Sequence, residues 1–319
     1  MTPIRPRVLP ADKESCLYGP VPSRRLGFSL GIDLLPYKTC SMDCVYCQLG
    51  ANPKKRIRRK KFIPVREVLG QIKRALAGGQ RIDCLTFSGS GEPLLHAGLG
   101  EIIAGIKKMT AIPVVILTNS SLLANPQVRR DLRAADIVAP SLDAATSAVF
   151  AKINRPHPSL TVRKIIEGLV RFRKEYKGRI WLEVMLVKGV NDGLPHLKKL
   201  KEAIAMIRPD KVQLNTVVRP PAEISARALT LEELEKIKSF LGPKAEIIAD
   251  FRLRDQVASG GDTGEAILST VKRRPMTAQD ISQSLGKPLE EVCAHIVRLV
   301  RQSRLKDKIH AGSVYYEPF

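Results

Sequence analysis

Between residues 28 and 251 the sequence switches, again and again, between a short apolar run and a longer segment with helical apolar spacing. The apolar runs are "FSLGIDLL", "IDCLTFSG", "PVVILTN", "DIVAPSLD", "RIWLEVMLVKG" and "KVQLNTVVR", with "AEIIADF" as a possible last one. Between them stand "PVREVLGQIKRALAGG", "GLGEIIAGIKKM", "NPQVRRDLRAA", "SLTVRKIIEGLVRFRKEY", "PHLKKLKEAIAMI" and "TLEELEKIKSFLG". Near-continuous apolar strands belong to parallel sheets covered on both faces, and parallel strands need a crossover, usually a helix. Six strand–helix units therefore imply an α/β fold, either a doubly wound sheet or a closed or partial barrel. Both architectures place ligands at the carboxyl ends of the strands, where the glycines and polar residues of this chain also fall.

The pattern changes after the Gly/Ser/Asp stretch at residues 259–264. "EAILSTVKRR", "TAQDISQSLG" and "PLEEVCAHIVRLVRQSRL" read as three helices, and "KIHAGSVYYEPF" as a hairpin. Thr277 suits a helix start and Gly286 a helix end. A third, longer helix followed by a ribbon is the winged-helix outline. The organisation expected is an amino-terminal extension (1–27), the α/β domain (28–251), a linker (252–264) and a small winged-helix-like domain (265–319).

The chain has 53 Lys and Arg against 31 Asp and Glu, a net charge of +22. Such an excess attracts polyanions, nucleic acid first among them, although basic residues also serve solubility. No run reaches the roughly 18 apolar residues of a membrane span, and "MTPIRPRVLP" lacks the apolar core of a signal peptide. The expected location is the cytoplasm, where thiols stay reduced and clustered cysteines indicate metal or redox chemistry.

Three of the six cysteines, Cys40, Cys44 and Cys47, lie within eight positions of "KTCSMDCVYCQLG". Disulfide frameworks use even numbers and structural zinc four ligands, so three clustered thiols suggest a centre one protein ligand short. They can hold three irons of a four-iron cluster and leave the fourth open. The alternative is zinc completed by a distant His or Cys. Cys16, Cys84 and Cys293 are scattered and read as inert, buried cysteines rather than a second cluster site. One strand further on, "SGSGEP" (residues 88–93) offers glycines for close backbone approach and Glu92 as a carboxylate for an ammonium group, or else forms an ordinary turn.

With these elements in sequence, "CSMDCVYC" resembles the signature of the radical S-adenosylmethionine (SAM) superfamily. The resemblance covers roughly residues 17–250 and implies a partial (βα)6 TIM-like barrel, a [4Fe–4S] cluster on Cys40, Cys44 and Cys47, and SAM on the open iron. It further implies reductive cleavage of SAM to a 5′-deoxyadenosyl radical that abstracts hydrogen from a substrate. By motif match Gly89, Gly91 and Glu92 inherit the methionyl amine, and Tyr46 presents an aromatic edge beside the open iron. Asn119 matches a position near the cofactor. Ser141 and Asp143, two apart on one strand face, suit ribose hydroxyls. Asn215 and "VKGVND" fall where the family lines its cavity. Glu183, within an apolar strand, either lines that cavity or sits in a structural ion pair.

The run "YGPVPSRRLGFSLGIDLLPYKTCSMDCVYCQLG" is similar to a branch of short iron–sulfur oxidoreductases grouped with the archaeal 4-demethylwyosine-forming enzymes, which rebuild a guanine in tRNA. Those carry a second cluster that this chain lacks the clustered cysteines to hold. Two features bear on the substrate. "PKKRIRRKK" (53–61) carries Lys54, Lys55, Arg56, Arg58, Arg59, Lys60 and Lys61 just past the cysteine loop. With Arg24 and Arg25 it either grips phosphates or forms a solvated face. In the tail, the third helix opens with Glu290 and Glu291, which disfavours DNA reading and leaves RNA docking or protein contact. The reading is an RNA-modifying enzyme, plausibly acting on tRNA. The alternative is an activase or peptide-modifying enzyme that docks its partner through the tail. Flavodoxin or ferredoxin is the electron donor that the family implies.

Overall fold

Each of the seven apolar runs becomes a strand. The computed structural model describes residues 15–23, 26–249, 263–272, 275–310 and 312–319. The strands are β1 (Leu17–Ser23), β2 (Gly27–Ile32), β3 (Cys84–Phe87), β4 (Val114–Thr118), β5 (Ile137–Pro140), β6 (Arg179–Leu186), β7 (Lys211–Thr216) and β8 (Ala245–Ile247). They form one eight-stranded sheet in strict chain order, β1 to β8. β1 pairs antiparallel with β2, and every later pair is parallel. A doubly wound sheet reverses its strand order part-way; strict order is the barrel arrangement. Among the described residues β1 and β8 do not pair, so the barrel is partial.

Seven helices connect these strands: α1 (Val65–Ala77), α2 (Leu99–Met109), α3 (Pro126–Asp131), α4 (Ser147–Ile153), α5 (Val162–Glu175), α6 (Leu194–Ile207) and α7 (Leu231–Leu241). Their apolar stripes, such as Ile165, Leu169 and Phe172 of α5, bury against one face of the sheet at helical spacing. That face carries Leu85, Phe87, Val114, Ile116, Val138 and Leu182. Cys84, Val115, Ile137, Ala139 and Trp181, alternating with them, form a smaller cluster on the opposite face. Each fully buried Leu or Ile contributes about 1.5–3 kcal/mol of transfer free energy.

Two elements differ from the expectation. Residues 17–23, assigned to an extension, are the first strand of the sheet, and the Tyr18 hydroxyl lies 2.6 Å from Ser88 Oγ. Helix α4 was not anticipated at all. The carboxyl-terminal unit comprises α8 (Thr263–Val271), α9 (Ala278–Leu285), α10 (Leu289–Arg301) and the hairpin β9 (Leu305–His310)–β10 (Ser313–Pro318). Helix α8 thus begins inside the expected linker, whose residues 252–262 lie outside the described residues. The unit has its own core, built on Ile267, Val271, Ile281, Val292, Ile296, Leu299 and Leu305. Thr277 caps α9 through a reciprocal box with Asp280, and Gly286 ends it in the left-handed conformation. Among the described residues no helix is long and apolar enough to cross a membrane.

Candidate active site: the three-thiol loop

The cysteine loop leaves β2 and lies across the carboxyl ends of the parallel strands. Its backbone is tied to distant segments: Val45 N donates to Ile153 O (3.0 Å), and Val45 O accepts from Glu223 N (2.9 Å). Thr39 forms a bridge with Gly91, and Glu92 N donates to Thr39 O at 3.0 Å. A Cβ on Gly91 would stand 1.9 Å from that carbonyl oxygen, so only glycine permits the approach. Gly89 adopts φ +140° against the Asp33 carboxylate, which accepts from Ser90 N (3.0 Å) and Ser90 Oγ (2.6 Å). "SGSGEP" is therefore a shaped loop, with Asp33 as its fastening.

All three thiols are free, and each receives a polar donor. Asn119 Nδ2 lies 3.4 Å from Cys40 Sγ, Asn154 Nδ2 lies 3.4 Å from Cys44 Sγ, and Lys38 Nζ lies 2.9 Å from Cys47 Sγ. Burial, with Glu92 adding, pushes the Cys40 thiol up to about 12; burial, with Asp143 adding, pushes Cys44 well above its ordinary value. Such thiols become thiolates only against bound positive charge, as metal ligands do. Among the described residues no three His, Cys, Asp or Glu side chains converge on one ion. The donor set fits a [4Fe–4S] cluster, with N–H groups directed at its sulfur ligands.

Glu92 is buried, and protein groups surround its carboxylate. Oε1 accepts from Leu94 N (3.0 Å) and Thr118 Oγ1 (2.7 Å), and Oε2 from Asn119 N (2.7 Å). Burial raises it to about 7 against these hydrogen bonds. The carboxylate expected for an ammonium group thus locks the loop to the end of β4. Asn119 continues the chain of contacts, donating to Ser41 Oγ at 3.0 Å. Asp143, expected for ribose, is turned inward as well. Its Oδ2 accepts from the Tyr46 hydroxyl and from Asn154 Nδ2 (2.7 Å), and its Oδ1 from Met185 N (2.9 Å). Burial raises the Asp143 carboxyl while these donors oppose it, and Tyr46 is fixed beside Cys44.

Asn215 joins Glu183 at 3.0 Å rather than the cysteine loop, which identifies a partner for that acid. Ser141 bridges to Glu183 through its backbone. Asn191 of "VKGVND" is fully buried rather than cavity-lining: it donates to Asp143 O and Met185 O, both at 2.8 Å. Within the basic run, Arg59 is structural, bound to Asp131 (2.6 Å), Leu94 O (2.8 Å) and His96 O (3.1 Å). Lys61 pairs with Glu101, and Lys60 covers the Phe62 ring. Lys54, Lys55, Arg56 and Arg58 have no acidic partner among the described residues. Arg56 N donates to Cys40 O at 2.8 Å, which fixes this segment against the loop. Arg24 and Arg25 lie outside the described residues. Cys16 and Cys84 are buried as expected, but Cys293 is exposed. Asp33, Lys38 and Asn154 were missed; only Asp33, an acid closing an apolar strand, carried a local signal.

The barrel and its thiol loop define an iron–sulfur enzyme of known type, and a family profile agrees. The chain belongs to the radical SAM superfamily, whose profile matches residues 34–201. Its cofactors are those of the superfamily, a [4Fe–4S] cluster and SAM. More narrowly, it is similar to the UPF0026 protein of Methanocaldococcus jannaschii, 33% identical across 95% of this chain and 94% of that protein. A Brachyspira hyodysenteriae protein named GTPase Obg is 38% identical over 95% of this chain, which spans only 45% of that protein. The RNA methyltransferase RlmN of Oleidesulfovibrio alaskensis is 27% identical, over 63% of this chain and 57% of that one. The structure of Streptococcus suis SuiB superposes with a TM-score of 0.51 at 13% identity, covering 67% of this chain and 48% of SuiB, and shares the fold.

Proposed function

We propose that this radical SAM enzyme modifies an RNA nucleotide, with tRNA as the substrate. The observation that carries the reading is the set Lys54, Lys55, Arg56 and Arg58, without acidic partners among the described residues and fastened to the cysteine loop at Cys40 O. Phosphates gripped there would lie beside the reactive centre. The similarity to a protein named as an RNA methyltransferase supports the same substrate class. We read the three helices and hairpin of the carboxyl-terminal unit as a winged-helix-like docking module. Flavodoxin or ferredoxin is the proposed electron donor.

In this reading Cys40, Cys44 and Cys47 hold three irons. Asn119, Asn154 and Lys38 direct N–H groups at the sulfurs and stabilise their negative charge. The loop at residues 89–92 holds the methionyl end of SAM against backbone, since Glu92 is engaged with Leu94, Thr118 and Asn119. Tyr46, held by Asp143, walls the site on the Cys44 side. When bound, the cluster and SAM supply an electron and a 5′-deoxyadenosyl radical that takes hydrogen from the substrate. Cys16, Cys84 and Cys293 stand before β1, in β3 and in α10, which speaks against chemistry that needs a second cluster.

The test is anaerobic incubation of reconstituted protein with SAM, dithionite and bulk RNA from a strain lacking the protein. RNA-dependent formation of 5′-deoxyadenosine, with a mass change in one nucleoside, is the expected result. An unaltered nucleoside profile, with SAM cleavage indifferent to RNA, overturns the proposal.

A further inference from the structure

A cleft of about 450 Å³ separates the carboxyl-terminal unit from the cysteine loop. We propose that this cleft binds a single-stranded RNA segment, one or more bases stacked on aromatic rings and the backbone held by lysines. The inference rests on RNA being the substrate and names where it docks.

Position comes first. Residues 48–50 line the cleft and directly follow Cys47, with Gly50 N bonded to Cys47 O at 3.2 Å. The opposite wall does not float: Tyr315 Oη donates to Val218 O at 3.0 Å, and His310 Nε2 lies 3.4 Å from Val217 O. Both carbonyls belong to the segment leaving β7, so the hairpin β9–β10 is fastened to the rim of the barrel.

Composition comes second. Two aromatic rings border this cleft, and both are largely in solvent: Tyr37 is 60% exposed and Phe319 78%. The Tyr37 hydroxyl donates to Leu49 O at 2.7 Å, which fixes its ring in orientation. Large exposed rings lose apolar stabilisation unless something covers them, and a base is a flat π-face of suitable size. Lys272, Lys306 and Lys308 line the same cleft against one acid, Glu317. Lys306 lies 3.5 Å from Glu317, whereas Lys308 has no acidic partner among the described residues. Aromatic platforms interleaved with cations are the recognition chemistry of single-stranded nucleic acid. A peptide would instead seek a backbone edge to pair with or acidic complements to its own lysines.

The experiment uses the full chain and a short fluorescein-labelled single-stranded RNA of mixed sequence, followed by anisotropy at about 50 mM salt. Y37A and F319A each weaken binding by roughly fivefold or more, the loss of one stacked base. K308A lowers the slope of log affinity against log salt by about one. Both rings and Lys308 are exposed, and thermal unfolding confirms that each variant is folded. Affinity within twofold of the parent in all three variants, with K54E/K55E still weakening it, overturns the cleft while sparing the RNA substrate. That same insensitivity is what a polypeptide-binding cleft would give. Failure of the parent protein to bind the probe or bulk tRNA overturns both.

Discussion

Gly91→Ala tests how closely the cofactor loop depends on backbone contact. The added Cβ would stand 1.9 Å from Thr39 O, where ordinary contact begins near 3.4 Å, so the two loop segments must part by about 1.5 Å. No flexible side chain can absorb this, because the nearest atoms are backbone. The bond from Glu92 N to Thr39 O, 3.0 Å long, breaks, at about 0.5–1.5 kcal/mol. Overpacking adds about 1–3 kcal/mol. Together these lower Tm by roughly 3–15 °C for a domain of this size. Thr39 adjoins Cys40, and a displacement of about 1 Å at reacting groups costs on the order of a hundredfold in rate. The assays are thermal unfolding of the iron-free protein and 5′-deoxyadenosine formation by the reconstituted enzyme. Gly70→Ala is the control: its Cβ meets only Arg74 Nη1, at 3.7 Å, inside α1, and it stabilises the helix by about 1 kcal/mol. A G91A enzyme with parental Tm and rate would refute the argument.

Three further outcomes follow from the geometry. Glu92 binds its proton near pH 7 in the native protein and near 4.5 when unfolded, so the native state takes up a proton first on acidification. Its contribution to stability therefore rises as pH falls from about 7 to 4.5, by on the order of 3 kcal/mol, and E92Q removes that slope in urea unfolding. Arg59→Ala removes the cation paired with Asp131 and the donors to two carbonyls, and costs about 3 kcal/mol in the same assay, while leaving RNA affinity nearly unchanged. Alanine at Cys40, Cys44 or Cys47 abolishes the electron paramagnetic resonance signal of the reduced cluster; alanine at Cys16, Cys84 or Cys293 preserves it.

The sheet and its helices were legible because their signal is periodic and local. β1 was not: "LYGPVPS" holds one glycine and two prolines in seven residues, which reads as a breaker, and only an edge strand tolerates them. The three cysteines could be recognised from eight residues of sequence. What surrounds them could not, because the contacts span the chain. Tyr46 meets Asp143 across 97 positions, and Asn154 meets Cys44 across 110. Glu92 and Asp143 were assigned outward, to ligand, and both face protein, since a buried carboxylate this close to other strand ends takes whatever donors they offer. The basic run was readable as charge but not as a mixture of free and committed side chains.

The loop that carries the thiols is braced from inside by Asn52, which donates to Cys40 O and Met42 O, and from outside by distant segments. Ser41 is held by Ser121, Cys44 by Asn154, and Val45 by Glu223, partners brought near only once the strands are in place. The position of the thiols is thereby tied to the strands and helices around them, not to the loop alone. Small zinc modules differ, because there the ion itself organises the chain.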